Sequence, residues 1–242
     1  MKAVRVGQIE RLLDRQARLW QSEQPHPPVP ESTPRANLAL AQPPGSGAGE
    51  LAERIAATIG WQVFDRQIRA ALHENDELGK SVLESLDERL LGYREDWIYH
   101  LLVPDHMSSA GYVQRLSRLL FSLAMEGRGI FVGRGASFVI PQQHRLAVLV
   151  GRDFESRLQR WREELPPASA VASRRGLRRL DRWRSEFVWR SFHRQVDDPL
   201  GYDLCVHLDR MGVEAAARTI VVALQQRFPH AFAAAAAPRH AH

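Results

Sequence analysis

The sequence predicts an α/β fold built on a parallel sheet, and three stretches predict it. Leu38-Ala39-Leu40-Ala41 is an apolar run that breaks at Pro43-Pro44-Gly45-Ser46-Gly47-Ala48-Gly49 and gives way to the amphipathic run Glu50 to Ile59: strand, glycine turn, helix. Ile130-Phe131-Val132 and Leu146-Ala147-Val148-Leu149-Val150 are two more short apolar runs, each followed by a glycine and an arginine, at Gly133-Arg134-Gly135-Ala136 and Gly151-Arg152-Asp153. Strands without polar alternation belong in a sheet covered on both faces, as parallel sheets are.

Composition narrows the function classes. A chain of 242 residues with 44% hydrophobic content can bury a sizeable core. It has no run of about eighteen apolar residues, and Arg5, Glu10, Arg11 and Asp14 stand where a signal peptide would need apolar residues, so a soluble, cytoplasmic protein with no membrane partner is expected. Cys205 is the only cysteine, which excludes an internal disulfide and a cysteine-based zinc site; lying in an apolar run, it is expected to be a packed core thiol. The histidines are scattered or crowded at the C-terminus with no helical pair at metal-ligand spacing, so no metal-binding residues are expected.

Lys2 and Lys80 are the only lysines, so the positive charge is nearly all arginine, whose planar fork of donors suits phosphate and carboxylate; a GC-rich coding sequence would give the same bias. Between Arg157 and Arg194, eleven arginines face only Glu163, Glu164, Asp181 and Glu186, an excess of seven against +5 for the whole chain. The positive field is local.

In chain order, Ile9, Leu12, Leu13, Leu19 and Trp20 share one helical face, which predicts an amphipathic helix over 7–21 able to dock on its own domain, on a protein partner or on a membrane, docking being the commonest outcome. Five prolines in 22–35 make a linker, so residues 1–35 form an extension to a domain over 36–230. Gly45, Ser46, Gly47, Ala48 and Gly49 form the candidate anion cradle: three glycines let the backbone curl with its N–H groups inward, and the helix behind aims partial positive charge at the same place. The strict phosphate-loop pattern is absent, since Glu50 stands where its lysine belongs and Leu51 where its hydroxyl belongs. A tight strand-to-helix turn that binds nothing is the alternative.

Gly60 stops the helix, and Trp61-Gln62-Val63-Phe64-Asp65 reads as a short strand ending in an acid. Residues 66–126 carry helical stripes (Leu83, Leu86, Leu90; Val113, Leu116, Leu120, Leu123) and form an insertion in the domain. Since ligands bind at the carboxyl ends of strands in open α/β sheets, Arg134 and Arg152 stand at the mouth; the alternative is that each merely opens the next helix or loop on the surface, which for Arg152 alone is the favoured reading. Residues 153–164 are a helix, stopped by Leu165-Pro166-Pro167. Within 165–194, Leu177, Leu180, Trp183 and Phe187 stripe a helix crowded with arginines on its other face. That segment could be a lid over polyphosphate, a solvated helix, or a nucleic-acid groove with Trp183 and Trp189 as stacking platforms. Tyr202 to Leu208 is a last strand, Val213 to Phe228 a last helix, and 231–242 a disordered tail.

This order of parts resembles the cytidylate kinase-like family of P-loop nucleoside monophosphate kinases, over residues 36 to about 227. Gly45-Ser46-Gly47-Ala48-Gly49-Glu50-Leu51-Ala52 is similar to the family's G-S-G-G-R-E-I-A, Gly60-Trp61-Gln62-Val63-Phe64-Asp65-Arg66-Gln67-Ile68 to its G-x-x-x-Y-D-R-E-I, and Val132-Gly133-Arg134-Gly135-Ala136 completes the set.

The resemblance implies a three-layer P-loop NTPase fold with a helical insertion that binds a nucleoside monophosphate and an arginine-rich lid. It implies transfer of the ATP γ-phosphoryl group to that nucleotide, with Mg2+ carried on the nucleotide phosphates. It also implies that Gly45 to Gly49 hold ATP, that Asp65, Arg66 and Arg134 bind the acceptor, and that Arg134, Arg178 and Arg182 stabilise the transferring charge. The sequence departs from the family where Gly49 replaces an arginine and where Ala41-Gln42-Pro43 replaces Ser-Arg-Gln; Leu51 and Ala52 offer magnesium no hydroxyl, and Val132 replaces an acid. Three readings therefore stand side by side: an active phosphotransferase, a weak or inactive nucleotide-binding regulator, and, less favoured, a nucleic-acid-binding module.

Overall fold

A computed structural model describes residues 35–65, 109–164 and 173–233. In chain order these form β1 (Asn37–Ala41), α1 (Ala48–Ile59), β2 (Gln62–Phe64), α2 (Ser109–Glu126), β3 (Gly129–Val132), α3 (Ala136–Val139), β4 (Leu146–Gly151), α4 (Phe154–Glu164), α5 (Arg174–Phe192), β5 (Leu204–His207), α6 (Leu208–Met211), α7 (Val213–Arg227) and α8 (Pro229–Ala233). The five strands pair in the order β2-β3-β1-β4-β5, every pairing parallel.

β1 lies at the centre because each of its residues is apolar or internally bonded, and all are buried. The two-residue period of the strand then splits the core in two. Leu38 and Leu40 turn to one face, with Ile130, Val132, Val148 and Val150, and pack under Leu51 and Ile55 of α1 and Ile220 and Leu224 of α7. Ala39 turns to the other face with Phe131, under Leu116, Leu120 and Leu123 of α2 and Ala136 of α3. The result is three layers, helices, sheet, helices, with each buried leucine or phenylalanine contributing about 2 kcal/mol.

The amino ends of the strands are fastened by one polar residue. Asn37 is fully buried; its Nδ2 donates to the carbonyls of Ala124 and His144, both at 2.9 Å, and its Oδ1 accepts from the Gly129 N–H at 3.1 Å. Gly60 ends α1 as its sequence predicts, left-handed at φ 72°, with its N–H closing on Ala56 O.

Two expectations change. Cys205 is exposed, not packed, because β5 is the outer strand: Val206 turns into the core, and Cys205 alternates to the opposite side. Residues 231–233, assigned to the tail, belong to α8, where Phe232 stacks on Trp61 with ring centroids 5.5 Å apart. The N-terminal helix over 7–21, most of the 22–35 linker, Arg66, residues 67–108 of the insertion, 165–172 of the lid segment and 234–242 lie outside the described residues.

Candidate functional site

Since all five strands run the same way, the turns that follow them meet at one edge of the sheet. The turn after β1 is the glycine loop. Gly45 (φ 69°) and Gly47 (φ 85°) are left-handed, a conformation that costs a side-chain-bearing residue about 1–2 kcal/mol. Space also forbids a side chain at Gly45, where a Cβ would stand 2.6 Å from the Arg157 carbonyl oxygen. Gly49 differs: nothing lies within 4 Å of the place its Cβ would take.

Gly47 precedes α1 without a side-chain cap, so the helix presents its positive end at the loop. Gln42, which the sequence marks only as a missing cation, braces the turn: its Oε1 accepts from the Ser46 hydroxyl at 2.7 Å and the Ala48 N–H at 3.2 Å. Ser46 is fully buried and spends its hydroxyl there, while Leu51 is fully buried in the core. Neither offers a divalent cation a ligand.

The loop's cations come from α4. Arg157, only 7% exposed, donates from Nη1 to the Pro44 carbonyl at 3.1 Å and grips Asp181 of α5 through both terminal nitrogens, at 2.8 and 2.9 Å. That two-pronged pair ties the loop to both helices. The Phe154 ring lies beneath Arg157 and Arg178, at 5.4 and 5.3 Å. Three residues along the same face of α4, the Arg160 guanidinium covers Gly47 and reaches Glu50, Nη2 to Oε2 at 3.3 Å.

After β3, Gly133, Arg134 and Gly135 are left-handed in succession. For an arginine (φ 55°) this conformation is uncommon and persists only where the surroundings impose it. Here they do: Gly133 N–H closes on Leu40 O at 2.7 Å, and the Phe192 ring at the end of α5 occupies the space a side chain on Gly135 would need. Arg134 is thereby held half-buried beside the exit of β1. Phe64 is in register with Phe131, so the half-buried Asp65 leaves the sheet level with Val132, at this same edge.

On α5, Leu177 and Leu180 are buried as predicted, joined by Val188, while Trp183 and Phe187 are half-buried. Arg178 and Arg182 are exposed and, with Arg174, Arg175 and Asp181, line an open cleft of about 670 Å³. The structure thus gathers Gly45 to Gly49, Asp65 and Arg134 at the strand exits and sets Arg178 and Arg182 on a neighbouring helix joined to the loop through Asp181 and Arg157. Just before β5, Tyr202 donates to the Val196 carbonyl at 2.8 Å, and burial pushes the pKa of its hydroxyl up to about 12, so it stays neutral.

Among the described residues one group brings metal-type ligand atoms together: Asp153, His207 and Asp209, within 4.8 Å of one another beyond β4 and β5. Asp209 there accepts the Asp153 N–H at 2.9 Å and pairs with Arg152 at 3.5 Å, so its charge is already offset by an arginine. Sequence reading missed Gln42, Arg157, Arg160 and Asp181. The available signal was the three-residue spacing of Arg157 and Arg160, which sets both on one face of the helix that follows a strand exit.

A crystal structure of an uncharacterised protein from Eubacterium ventriosum is similar to this chain at 14% identity and a TM-score of 0.57, over 79% of this chain and 99% of its own. Shikimate kinase from Bacteroides thetaiotaomicron is similar at 13% identity and a TM-score of 0.50, over 78% and 98%. At such identities the likeness concerns the fold, and it agrees with a three-layer P-loop arrangement. No curated protein matches the chain. The model of the cytidylate kinase-like family matches residues 37–210, from the first residue of β1 into α6. A match of that extent takes in the sheet, the glycine loop, the Arg134 turn and both arginine helices, and the chain therefore belongs to the cytidylate kinase-like family.

Proposed function

We propose that this protein is a kinase-type phosphotransferase that moves the γ-phosphoryl group of ATP to a nucleoside monophosphate or a similar acceptor. The observation that carries the reading is the loop: two left-handed glycines at the exit of the central strand, before a helix start and under an arginine helix. Family membership supports the kinase class.

In this reading Gly45, Ser46, Gly47, Ala48 and Gly49 hold the ATP phosphates, while Asp65 and Arg66 face the acceptor and Arg134 clamps its phosphate. An acceptor oxygen attacks the γ-phosphorus, the bond to the β–γ bridging oxygen breaks, and ADP leaves. Charge spreads over the transferring oxygens, so fixed cations do most of the work, and Arg178 and Arg182 on α5 are suited to it. Magnesium, which would neutralise phosphate charge, fits only as an ion carried by the nucleotide, because Ser46 is fully buried and Leu51, in the place of the loop's hydroxyl, is apolar and fully buried. Nucleic acid is the less favoured reading of the basic surface, where Arg157, Arg174, Arg184 and Arg190 each already meet a carboxylate. Among the described residues no helix is long and apolar enough to cross a membrane. A cytoplasmic setting, and docking of the 7–21 helix on the domain or a protein partner, complete the reading.

A second reading, an inactive nucleotide-binding regulator, is favoured by Gly49, which leaves the loop without the arginine that the family carries there. A coupled assay with magnesium, ATP and a panel of nucleoside monophosphates separates the two: acceptor-dependent ADP formation is expected. Gly49→Arg sharpens the test, since its side chain enters open space. Turnover is expected to rise about tenfold, equivalent to about 1.4 kcal/mol of barrier, with ATP affinity nearly unchanged. ATP binding without turnover in either protein, with every acceptor, overturns the phosphotransferase in favour of the regulator.

A further inference from the structure

The loop lacks a cation in its own sequence, yet a guanidinium lies on it. Cζ, Nε and Nη2 of Arg160 are each 3.3 Å from the position a Cβ on Gly47 would occupy. Three guanidinium atoms equidistant from one point mean that the group lies broadside to the loop, not edge-on at a distance. Its Nη2 also meets the carboxylate of Glu50, the residue in the strict loop's lysine position, at 3.3 Å from Oε2. Glu50 is in the first turn of α1, and its side chain is about half exposed, whereas that of Arg160 is 29% exposed. The pair thus lies against the loop at Gly47, with the cation the more buried of the two.

A carboxylate and a phosphate are alternative partners for the same fork of donors, and a polyphosphate with several charges outcompetes one half-exposed carboxylate. Resting on the nucleotide-binding reading above, we propose that Arg160 is the phosphate-gripping cation of this loop, supplied from α4, and that Glu50 parks it over Gly47 until the terminal phosphates of a nucleoside di- or triphosphate displace the carboxylate. Arg157 holds the same helix at the working distance by bonding the Pro44 carbonyl and Asp181. The arrangement explains how the loop can tolerate a glycine at position 49, where the family has an arginine. Glu50 then acts as a competitor of the ligand, and its effect on binding runs entirely through Arg160.

The test is isothermal titration of the full chain with ADP, with a non-hydrolysable ATP analogue and with inorganic tripolyphosphate, using Arg160→Gln, Arg160→Lys, Glu50→Gln and the double variant Glu50→Gln/Arg160→Gln. Arg160→Gln should weaken all three ligands tenfold or more, and Arg160→Lys should recover part of the loss. Glu50→Gln should tighten them several-fold, and that gain should vanish in the double variant. Melting temperatures without ligand identify any variant that fails to fold, in which case the lysine variant and Glu50→Gln carry the test. Wild-type affinity in Arg160→Gln, or a Glu50→Gln gain that survives the loss of Arg160, overturns the inference. Tripolyphosphate binding that depends on Arg160 in a protein indifferent to both nucleotides keeps the inference and removes the nucleotide reading. Binding of none of the three ligands by the wild type removes both.

Discussion

The two edges of the sheet are built to opposite ends. At the carboxyl edge, Gly45, Gly47 and the Gly133-Arg134-Gly135 turn hold left-handed backbones around exposed or half-buried arginines. At the amino edge there is also a left-handed pair, Gly127 and Arg128, but its groups are closed internally: Arg128 N–H donates to Ala36 O at 2.6 Å, and Arg128 O accepts from Gln62 N–H at 3.2 Å. Asn37 and His144 finish the closure. Left-handed strain therefore does not by itself mark a site. What distinguishes the carboxyl edge is strain combined with arginines gathered at the strand exits, whereas at the amino edge these polar groups pair with one another.

If that division holds, substitutions at the two edges should separate stability from binding. The largest effect is expected at Asn37→Ala. It strips partners from the Gly129 N–H and from the carbonyls of Ala124 and His144, and at 1–3 kcal/mol for each stranded buried group, partly relieved by water, the loss should come to about 3 kcal/mol. Urea unfolding would measure it. Ligand affinity of the protein that remains folded should not change. A stable Asn37→Ala, or one that loses ligand while folded, would break the division.

The opposite pattern is expected next, at Gly45→Ala. The added Cβ meets a backbone oxygen at 2.6 Å in a left-handed conformation, so the loop must move away from Arg157. Nucleotide affinity should fall about a hundredfold, equivalent to about 2.7 kcal/mol of binding, with a smaller change in the urea midpoint. Titration and unfolding on the same preparation give both numbers. A loop that binds normally with alanine at this position would not be the cradle.

The sequence made some of this legible and left the rest dark for a physical reason. Strand, glycine turn and helix at 37–59, the β3 and β4 runs and the α5 stripe are local patterns, set by side-chain period and backbone freedom, and they lie where the periodicity puts them. Arg157 with Pro44, 113 residues apart, and Arg160 over Gly47 are meetings made by the parallel topology, which brings α4 back across the β1 exit. No local window contains such a pairing. Cys205 misled for a related reason: an apolar run looks the same in a central and an outer strand, and only the strand order shows that β5 is outermost among the described strands.

The smallest effect, and the finest probe of the amino edge, is the titration of His144. Its Nδ1 accepts the Arg35 N–H at 2.9 Å, so the neutral ring is the form that fits. Burial, and secondarily the Arg35 charge, lower its pKa below the ordinary 6.5. Above about pH 6.5 the ring is neutral both folded and unfolded, and its contribution to stability is complete. As the pH falls through that value the unfolded chain takes the proton first, and the contribution is lost until the folded pKa is passed. One such group changes stability by at most about 1.4 kcal/mol per pH unit, and solvent at this half-buried position keeps His144 well under that limit. Replacing it with glutamine, whose carbonyl can accept the same N–H without titrating, should flatten the dependence of melting temperature on pH between about 7 and 5.5 while leaving ligand binding at the far edge unchanged. An undiminished slope in His144→Gln would mean that the acid sensitivity of this edge arises elsewhere.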